Sequence, residues 1–417
     1  MSVFYDLASL VLVPSGYKAS KVYAQKPLTA DGQLTFSRAS TATRVNASGL
    51  IETVASNVPR LDYLGSTCPR LLLEPQRTNL ATWSEDFTNA DWNKLNTTVT
   101  GNSVAAPDGT TTADTITDNT TNGAHLVYEL KAIRTVGTAF SVFMKKGTLD
   151  YGYIGTVQST AFFAGATINL TNGTVTETAL GTSTTATVTV NALANGWYRV
   201  ILQTNVLDGG LAFGPSNGSA LSGTYKENIY TGTGSGTIYA WGAQLENASY
   251  PTSYIPTTTA AVTRLAESAS KTGISSLIGQ TEGTLFADID LALNGDAAGI
   301  LGVFGTGTTF IYLFTETVTN LLNANCYLSG VEQAAMNYTL PSAGRYKIAF
   351  GYKANDFVLY VNGVQRGSDN SGSVPACTDL RIDEVPSYNI LGNSKHRQAL
   401  LFKTRLTNAQ LAELTSL

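Results

Sequence analysis

The sequence predicts an all-β protein built from antiparallel sheets, and three observations lead to this expectation. Only 13% of the 417 residues are charged, about half the globular norm of ~25%, and threonine, serine, glycine and asparagine fill the polar positions, which favours exposed strands over helices. Asn-Gly dipeptides occur six times. Stretches of alternating polarity recur between turn signals at the short spacing that is typical of β-sandwiches.

The Asn-Gly dipeptides mark the predicted hairpin turns, because a type I′ turn needs positive φ at both central residues. The clearest hairpin alternates over 357–361, turns at Asn362-Gly363 and returns over 364–366. The other dipeptides are Asn122-Gly123, Asn172-Gly173, Asn195-Gly196, Asn217-Gly218 and Asn294-Gly295.

The N-terminal stretch 1–80 has a different character, with short apolar clusters separated by arginine and proline. We expect it to be extended, without a two-layer core of its own. Guanidinium groups can tie irregular backbone together through bidentate hydrogen bonds. The arginines that we assign to this role are Arg38, Arg44, Arg60, Arg70 and Arg77.

Three motifs in this stretch, Phe36–Arg44, Val58–Tyr63 and Cys68–Leu80, resemble a module found near the N-termini of tailed-bacteriophage virion proteins. The resemblance implies a head fibre, tail fibre or capsid decoration protein, made in the host cytoplasm and displayed on the virion surface. Residues 1–80 would attach it to other virion proteins and hold a homo-oligomer together, with a trimer expected by analogy with fibres. The resemblance does not distinguish head from tail.

Residues 81–256 resemble a carbohydrate-binding-module-like jelly roll. The motifs that carry the resemblance are Trp83–Trp92, Asn195–Arg199, Ile238–Glu246 and Pro251–Pro256. Residues 257–274 are threonine-rich and are interpreted as a linker.

Residues 275–417 resemble a concanavalin A-like (laminin-G-like) lectin sandwich. The motifs are Gly283–Asp290, Arg345–Ala349, the Asn362-Gly363 hairpin and the ending Leu406–Leu417. We predict that the ending is a short helix, because Thr407 with Gln410 three residues later forms a capping box.

Catalysis deserves a test, since concanavalin A-like sandwiches include glycoside hydrolases in which one strand carries Glu-x-Asp-x-x-Glu. This chain places Asp288 and Asp290 on one strand face, but Leu293 stands where the third acid is needed. The two histidines, His125 and His396, show no Ser-His-Asp ordering. We therefore expect no enzymatic activity.

Metal binding has little support from the sequence. Cys68, Cys326 and Cys377 are widely separated, so neither a disulfide framework nor a zinc site is predicted. Jelly rolls of the resembling class often hold one structural Ca²⁺, whose oxygen ligands need no fixed spacing. Glu85 and Glu246, in the opening and closing motifs of 81–256, are the candidates for such a site.

Glycans are the expected ligands, because sugars stack on exposed rings while amide and acid groups bind their hydroxyls. The candidate rings are Tyr151, Tyr153, Tyr225 and Tyr230. A net charge of −4 without a basic block gives no electrostatic support for nucleic-acid binding. The lack of a stretch of ~20 apolar residues argues against a transmembrane helix.

The favoured interpretation is therefore a non-enzymatic virion protein that displays lectin-like domains to host-surface or mucosal glycans. Two alternatives remain open. One is a glycan-degrading depolymerase, and the other is a purely structural decoration protein that binds no sugar, since a fold does not establish a function.

Overall fold

The computed structural model describes residues 2–131, 137–157, 163–181, 185–205, 210–222, 225–292, 297–316, 320–385, 390–391 and 394–417. These residues form antiparallel sheets with two α-helices, one of them at the C-terminus. The all-β fold class is confirmed. The predicted turn at Asn294-Gly295 and residue Leu293 lie outside the described residues.

The elements follow in chain order. The first eighty residues contain α1 (Ser2–Leu7), β1 (Leu10–Leu12), β2 (Gly16–Lys18), β3 (Lys21–Tyr23), β4 (Gln33–Ser37), β5 (Ala42–Val45), β6 (Ile51–Val54), β7 (Arg60–Asp62), β8 (Arg70–Leu73) and β9 (Arg77–Asn79). The middle of the chain contains β10 (Asn93–Leu95), β11 (Thr97–Val104), β12 (Ala113–Asp118), β13 (Asn122–Ala124), β14 (Leu126–Leu130), β15 (Thr138–Lys146), β16 (Tyr151–Val157), β17 (Ala164–Asn169), β18 (Thr174–Leu180), β19 (Ala186–Ala192), β20 (Trp197–Thr204), β21 (Gly210–Ser216), β22 (Leu221–Ser222), β23 (Glu227–Thr231) and β24 (Thr237–Glu246).

The remaining elements are β25 (Val262–Arg264), β26 (Ser268–Lys271), β27 (Glu282–Leu291), β28 (Ala298–Phe304), β29 (Phe310–Thr315), β30 (Leu321–Leu328), β31 (Val331–Thr339), β32 (Gly344–Lys353), β33 (Asp356–Val361), β34 (Val364–Asp369), β35 (Asp379–Ile382), β36 (Glu384–Val385), β37 (Ile390–Leu391), β38 (Ser394–Phe402) and α2 (Asn408–Thr415). Short 3₁₀ turns lie at Ala30–Gly32, Ala194–Gly196 and Ser275–Leu277.

The middle of the chain forms one sandwich, called the middle sandwich below. Its sheets have the strand orders β10-β14-β21-β16-β17-β18 and β11-β12-β24-β15-β20-β19. Apolar side chains from both sheets, including Trp92, Phe140 and Phe213, form one core between them. A small sheet of order β13-β23-β22 lies beside it and shares a second apolar cluster with Leu126 and Tyr153.

A second sandwich, the terminal sandwich, combines strands from both ends of the chain. One sheet has the order β34-β33-β32-β27-β38-β8-β7 with β1 also paired to β38, and the other has the order β2-β3-β4-β26-β35-β28-β29-β30-β31. Leu10 pairs with Leu401 and His396 with Leu71, so N-terminal strands continue a C-terminal sheet. Its core likewise joins Leu34 and Phe36 to side chains of residues 274–401.

This arrangement differs from the expected extended region and linker. The strands of residues 10–73 bury their leucines within the same chain, because strands of three to five residues can be stable when a longer neighbour supplies the hydrogen bonds. In the predicted linker 257–274, β26 lies between β4 and β35 and buries Ala269.

Turn chemistry explains part of this topology. Asn362 and Gly363 have φ of 49° and 81° and join β33 to β34, with Val361 opposite Val364, as a type I′ turn requires. Asn122-Gly123, in contrast, lies inside β13, where Asn122 pairs with Thr231. Hydrogen bonding to β23 therefore decided its conformation, and the local turn preference did not.

The C-terminal helix has the predicted capping box. The Thr407 hydroxyl accepts from the Gln410 backbone amide at 3.3 Å, and the Gln410 side chain accepts from the Thr407 amide at 2.9 Å. The helix buries Leu411 and Leu414 on the outer face of the terminal sandwich. In the described part of the chain, no helix is long and apolar enough to cross a membrane.

Candidate functional site

Arg38 is buried and ties irregular backbone in the way expected of a guanidinium fork. It donates to the carbonyl oxygens of Ser40 (2.9 Å), Val58 (3.1 Å) and Ala55 (2.6 Å), and to a carboxylate oxygen of Glu267 (2.7 Å). Its partners come from the chain after β4, after β6 and before β26. One side chain thereby fixes three connections.

Arg38 belongs to a buried cluster, called the junction network below, that consists of Arg38, Arg60, Glu74, Arg264 and Glu267. Arg60 Nε donates to Glu267 at 2.8 Å and its Nη2 donates to Glu74 at 2.8 Å. Burial alone would raise the pKa of Glu74, but Arg264 and Arg60 hold that pKa well below its usual range. The two arginines therefore favour the charged form of Glu74.

The junction network also reaches the middle sandwich. Ser253 donates its amide to Glu74 at 2.8 Å and its hydroxyl to the same carboxylate at 2.7 Å, while Arg60 donates to the Ser253 hydroxyl at 2.6 Å. A buried network of ion pairs and hydrogen bonds is rigid, because moving one member breaks bonds to several others. The two sandwiches are therefore joined through defined hydrogen bonds.

The other three arginines have separate roles in the fold. Arg44 pairs with Glu52 across the β5–β6 hairpin at 2.5 Å. Arg70 pairs with Asp290 at 2.6 Å. Arg77 lies over the ring of Tyr250, with 4.9 Å between the guanidinium carbon and the ring centroid.

The two acids weighed for catalysis are both held by arginine. Asp288 receives a bidentate pair from Arg345 at 2.8 and 2.6 Å. Asp290 accepts from Arg70 at 2.6 Å and from Arg397 at 3.1 and 3.0 Å. Burial would raise the pKa of Asp290, but Arg397 and Arg70 lower it. A glycosidase acid needs the opposite shift.

The four candidate tyrosines are not equally accessible. Tyr153 is fully buried, and its hydroxyl lies so close to Gly155 that a Cβ there would be 2.1 Å from it. Tyr230 is buried against His125, with ring centroids 4.4 Å apart, and donates to Asp118 at 3.3 Å. Neither ring has a face exposed to a sugar, because neighbouring side chains cover both rings. Tyr151 and Tyr225 are half-buried.

The two calcium candidates are engaged by the chain itself. Glu246 is fully buried and accepts from Gln244 (2.8 Å) and from the amide and hydroxyl of Thr252 (2.8 and 2.6 Å). Glu85 accepts from the Tyr254 hydroxyl at 3.0 Å. Among the residues that the structure describes, no group of three or more histidine, cysteine, aspartate and glutamate side chains could hold a metal ion. A calcium site stays a prediction.

A cavity of about 240 Å³ lies where the β5–β6 hairpin meets the middle sandwich. We call it the junction cavity. The hairpin is fixed there because Ile51 packs in one apolar cluster with Phe143, Trp241 and Tyr254. The residues that line the cavity are Thr43, Ile51, Glu52, Thr53, Glu85, Asp108, Trp241, Tyr254 and Pro256.

The junction cavity combines carboxylates with aromatic walls. Burial, and to a lesser degree the nearby Asp108, raises the pKa of Glu85. Asp108 accepts from the amide and hydroxyl of Thr110 at 2.9 and 2.7 Å. The rings of Trp241 and Tyr254 lie 4.8 Å apart at 51°. Such a lining can accept hydrogen bonds from hydroxyl or ammonium groups and repels anions.

The sequence does not predict this cavity, although Glu85 is a calcium candidate and Trp241 lies within the Ile238–Glu246 motif. Its lining comes from four separated stretches, near residues 43–53, 85, 108 and 241–256. No local motif connects them. The one relevant signal in the sequence is that the Trp83–Trp92 and Pro251–Pro256 motifs open and close the same predicted jelly roll.

No family model and no curated protein matches the chain. Similar solved structures include a Ruminococcus gnavus IT-sialidase CBM40 (9% identity, 34% of this chain, 86% of that chain, TM-score 0.30). They also include the Streptococcus pneumoniae NanB sialidase (11%, 35% and 26%, TM-score 0.30). A structure of botulinum neurotoxin type C, a toxin whose cell entry depends on two ganglioside molecules, matches at 12% identity over 36% of this chain and 39% of that chain, with a TM-score of 0.30. Scores this low carry no argument about function.

Proposed function

We propose that this chain is a non-enzymatic, glycan-binding protein of a tailed-phage virion surface, acting as a head fibre, tail fibre or capsid decoration. The observation that carries the glycan-binding part is the junction cavity. It offers carboxylate and threonine oxygens that can bind the hydroxyl groups of a polyhydroxyl ligand, while the rings of Trp241 and Tyr254 that border it are largely buried.

The size and charge of the junction cavity define the ligand class. Its volume of about 240 Å³ is just below the ~300–1,000 Å³ of pockets for drug-sized ligands, so a single sugar unit is the expected occupant. Three carboxylates, Glu52, Glu85 and Asp108, line the cavity, and only Glu52 among them pairs with an arginine, Arg44, in the described part of the chain. Neutral or amine-bearing sugars are therefore favoured over sialic acids.

The fixed junction supports a display role. The junction network holds the terminal sandwich to the middle sandwich through buried ion pairs and through the hydrogen bonds of Ser253 to Glu74. A virion protein that presents a weak site benefits from rigid presentation and many copies, because multivalency raises apparent affinity by ~10²–10⁴. Labelled antibody against the chain should bind intact virions, and the bound position would separate head from tail.

A glycan array tests the binding itself. We expect neutral glycans to bind with Kd on the order of millimolar, about −4 kcal/mol, and to bind equally at low and moderate salt. Glu85→Gln and Asp108→Asn should each weaken binding, whereas Glu413→Gln, an exposed change in α2, should not. Absence of binding to every glycan would favour the purely structural role. Loss of binding with salt would point to a charged polymer instead.

One observation favours a depolymerase as the second candidate. Burial raises the pKa of Glu85, which lies near Asp108, and glycoside hydrolases use an acid of raised pKa together with a second carboxyl group. Asp108 is nevertheless engaged in a turn with Thr110. Incubation with host capsular polysaccharide decides the matter, because release of reducing sugar that Glu85→Gln abolishes would establish hydrolysis.

A further inference from the structure

The outer edge of β19 is unusually suited to pair with another strand. β19 is the last strand of its sheet and pairs continuously with β20, from Ala186 opposite Thr204 to Ala192 opposite Tyr198. No described strand pairs with its other side. A regular edge of this kind presents a row of free backbone donors and acceptors, which templates pairing with a second chain.

The other long edge strands of the two sandwiches carry the devices that discourage such pairing. They contain a charged side chain, a register shift or both, as in β11 (shift after Thr100), β18 (Glu177 and a shift), β31 (Glu332 and a shift) and β34 (Arg366, Asp369 and a shift). β19 reads Ala-Thr-Val-Thr-Val-Asn-Ala, without charge, proline, glycine or shift. Its edge is therefore unprotected over seven residues.

The sequence of β19 is nearly the same in both directions. Antiparallel pairing of two copies about a two-fold axis at Thr189 places Val188 opposite Val190. The same register places Thr187 opposite Asn191 and Ala186 opposite Ala192. Like side chains therefore meet like side chains, which is the requirement for an isologous contact.

The faces of the strand agree with this register. Val188 and Val190 are half-buried against the core of the middle sandwich, whereas Thr187 and Thr189 are exposed. In the paired form, the valines of one copy would cover those of the other and extend the core across the axis. β18, which lies beside β19 on the opposite sheet, adds the exposed apolar side chains Val175 (38%) and Leu180 (42%) at the same edge.

We infer that two copies of this chain associate through β19, antiparallel and about a two-fold axis at Thr189, so that two six-stranded sheets become one continuous sheet. The contact makes a dimer, where the fibre resemblance implied a trimer. Each dimer therefore carries two junction cavities. The dimer does not depend on glycan binding. A negative result in the dimer experiments would therefore leave the proposed glycan binding untouched, and a negative glycan array would leave the dimer untouched.

Disulfide trapping in the full chain tests the register. The exposed Cys68 is first replaced by serine. Paired Cα atoms in an antiparallel ladder are about 4.5 or 5.5 Å apart, within the ~4.4–6.8 Å range of disulfides. Thr189→Cys should therefore cross-link to its own copy under mild oxidation, giving a covalent dimer on a non-reducing gel.

The neighbouring position supplies the matched control. Thr187 faces Asn191 in this register and lies about 13 Å from its own copy. Thr187→Cys alone should give no covalent dimer, but Thr187→Cys with Asn191→Cys should give one. Equal cross-linking of Thr187→Cys and Thr189→Cys, or none with Thr189→Cys, would overturn the two-fold register.

Sedimentation measures the association without cysteine. The full chain at micromolar concentration should sediment as a dimer. Thr189→Lys places two like charges at the axis while its side chain stays exposed in the single copy, so the dimer dissociation constant should rise at least tenfold with an unchanged thermal melt. A monomeric or trimeric wild-type chain, or a Thr189→Lys dimer of unchanged affinity, would contradict the inference.

Discussion

At the scale of single residues, several of the chain's few charged side chains are buried and hold the fold together. The two carboxylates Glu74 and Glu267 pair with three buried guanidinium groups, and each carboxylate has more than one partner. Arginine suits these positions because its planar fork keeps several donors aligned at once. Arg38 and Arg60 could be recognised from the sequence by their spacing, but Arg264 could not. Glu267 could not, since it lies 207 residues from Arg60.

Glu267→Gln tests the junction network. The change leaves Arg38 and Arg60 without a full counter-charge in a buried site, so we expect a loss of about 3–5 kcal/mol in unfolding free energy. Denaturant titration followed by circular dichroism measures it. Glu52→Gln is the matched control, since its pair with Arg44 is partly exposed and surface pairs contribute about 0–1 kcal/mol. Equal losses in both variants would show that the buried network is not special.

Asp383 gives a pH prediction. Burial raises the pKa of this carboxyl to about 6, whereas the unfolded value is ~3.9. Between those values the folded state holds a proton that the unfolded state releases, so this group makes unfolding free energy increase as pH falls from 7.5 to 5. Asp383→Asn should reduce that increase, measured as the shift of the urea midpoint.

Asp383→Asn should disturb the local structure little, although it also removes the carboxylate that lies 3.7 Å from the buried His396. Asp383 has φ of 64°, a conformation that asparagine tolerates, and Asn can still accept from Ser394. Asp369→Asn, a half-buried change at a turn, is the control. Asp114, whose pKa burial also raises to about 6, stays in both proteins. If the midpoint shift is the same in wild type and Asp383→Asn, proton binding at Asp383 does not contribute.

At the scale of elements, local signals were reliable where a turn or cap is closed by its own residues. The Asn362-Gly363 hairpin and the Thr407–Gln410 box follow from neighbouring residues alone. β26 could not be predicted, because only Ala269 of its four residues is apolar and buried, and its position between β4 and β35 depends on partners far along the chain. The junction cavity was missed for the same reason.

The capping box of α2 makes a prediction at this scale. Thr407→Ala removes the hydroxyl that accepts from Gln410 and should cost about 0.5–2 kcal/mol. Thermal unfolding of the full chain would show a lower midpoint. Thr98→Ala, an exposed change in β11, should stay within about 0.5 kcal/mol. A Thr407→Ala midpoint equal to that of Thr98→Ala would mean that packing of Leu411 and Leu414 alone holds the helix.

At the scale of the whole molecule, the middle sandwich is an insertion in the terminal sandwich. β9 precedes the middle sandwich and β25 follows it, and the two strands pair with Asn79 opposite Val262. The chain therefore leaves and re-enters the terminal sandwich at one place. The expected boundary at 80 follows directly after β9, and β25 begins at Val262, beyond the expected boundary at 256. Sequence could not show that 1–80 and 275–417 share one core.

Fragment folding tests this topology. Residues 81–256 contain both sheets and the core of the middle sandwich, so they should melt cooperatively alone as a β protein. Taken alone, the turn signals of 275–417 predict the same for that fragment. The structure instead predicts that 275–417 will not melt cooperatively, because it lacks β4 and β26 beside β35, and β8 beside β38.

The matched control is a chain in which residues 1–79 are joined to 262–417 by an added Asn-Gly turn. Asn79 and Val262 are already paired, and a two-residue type I′ turn spans such a pair. This chain restores every strand of the terminal sandwich and loses the Ser253 contacts to Glu74. It should therefore melt cooperatively at a lower midpoint than the full chain. Cooperative melting of 275–417 alone, with the same midpoint as the joined chain, would show that the N-terminal strands add nothing to the fold.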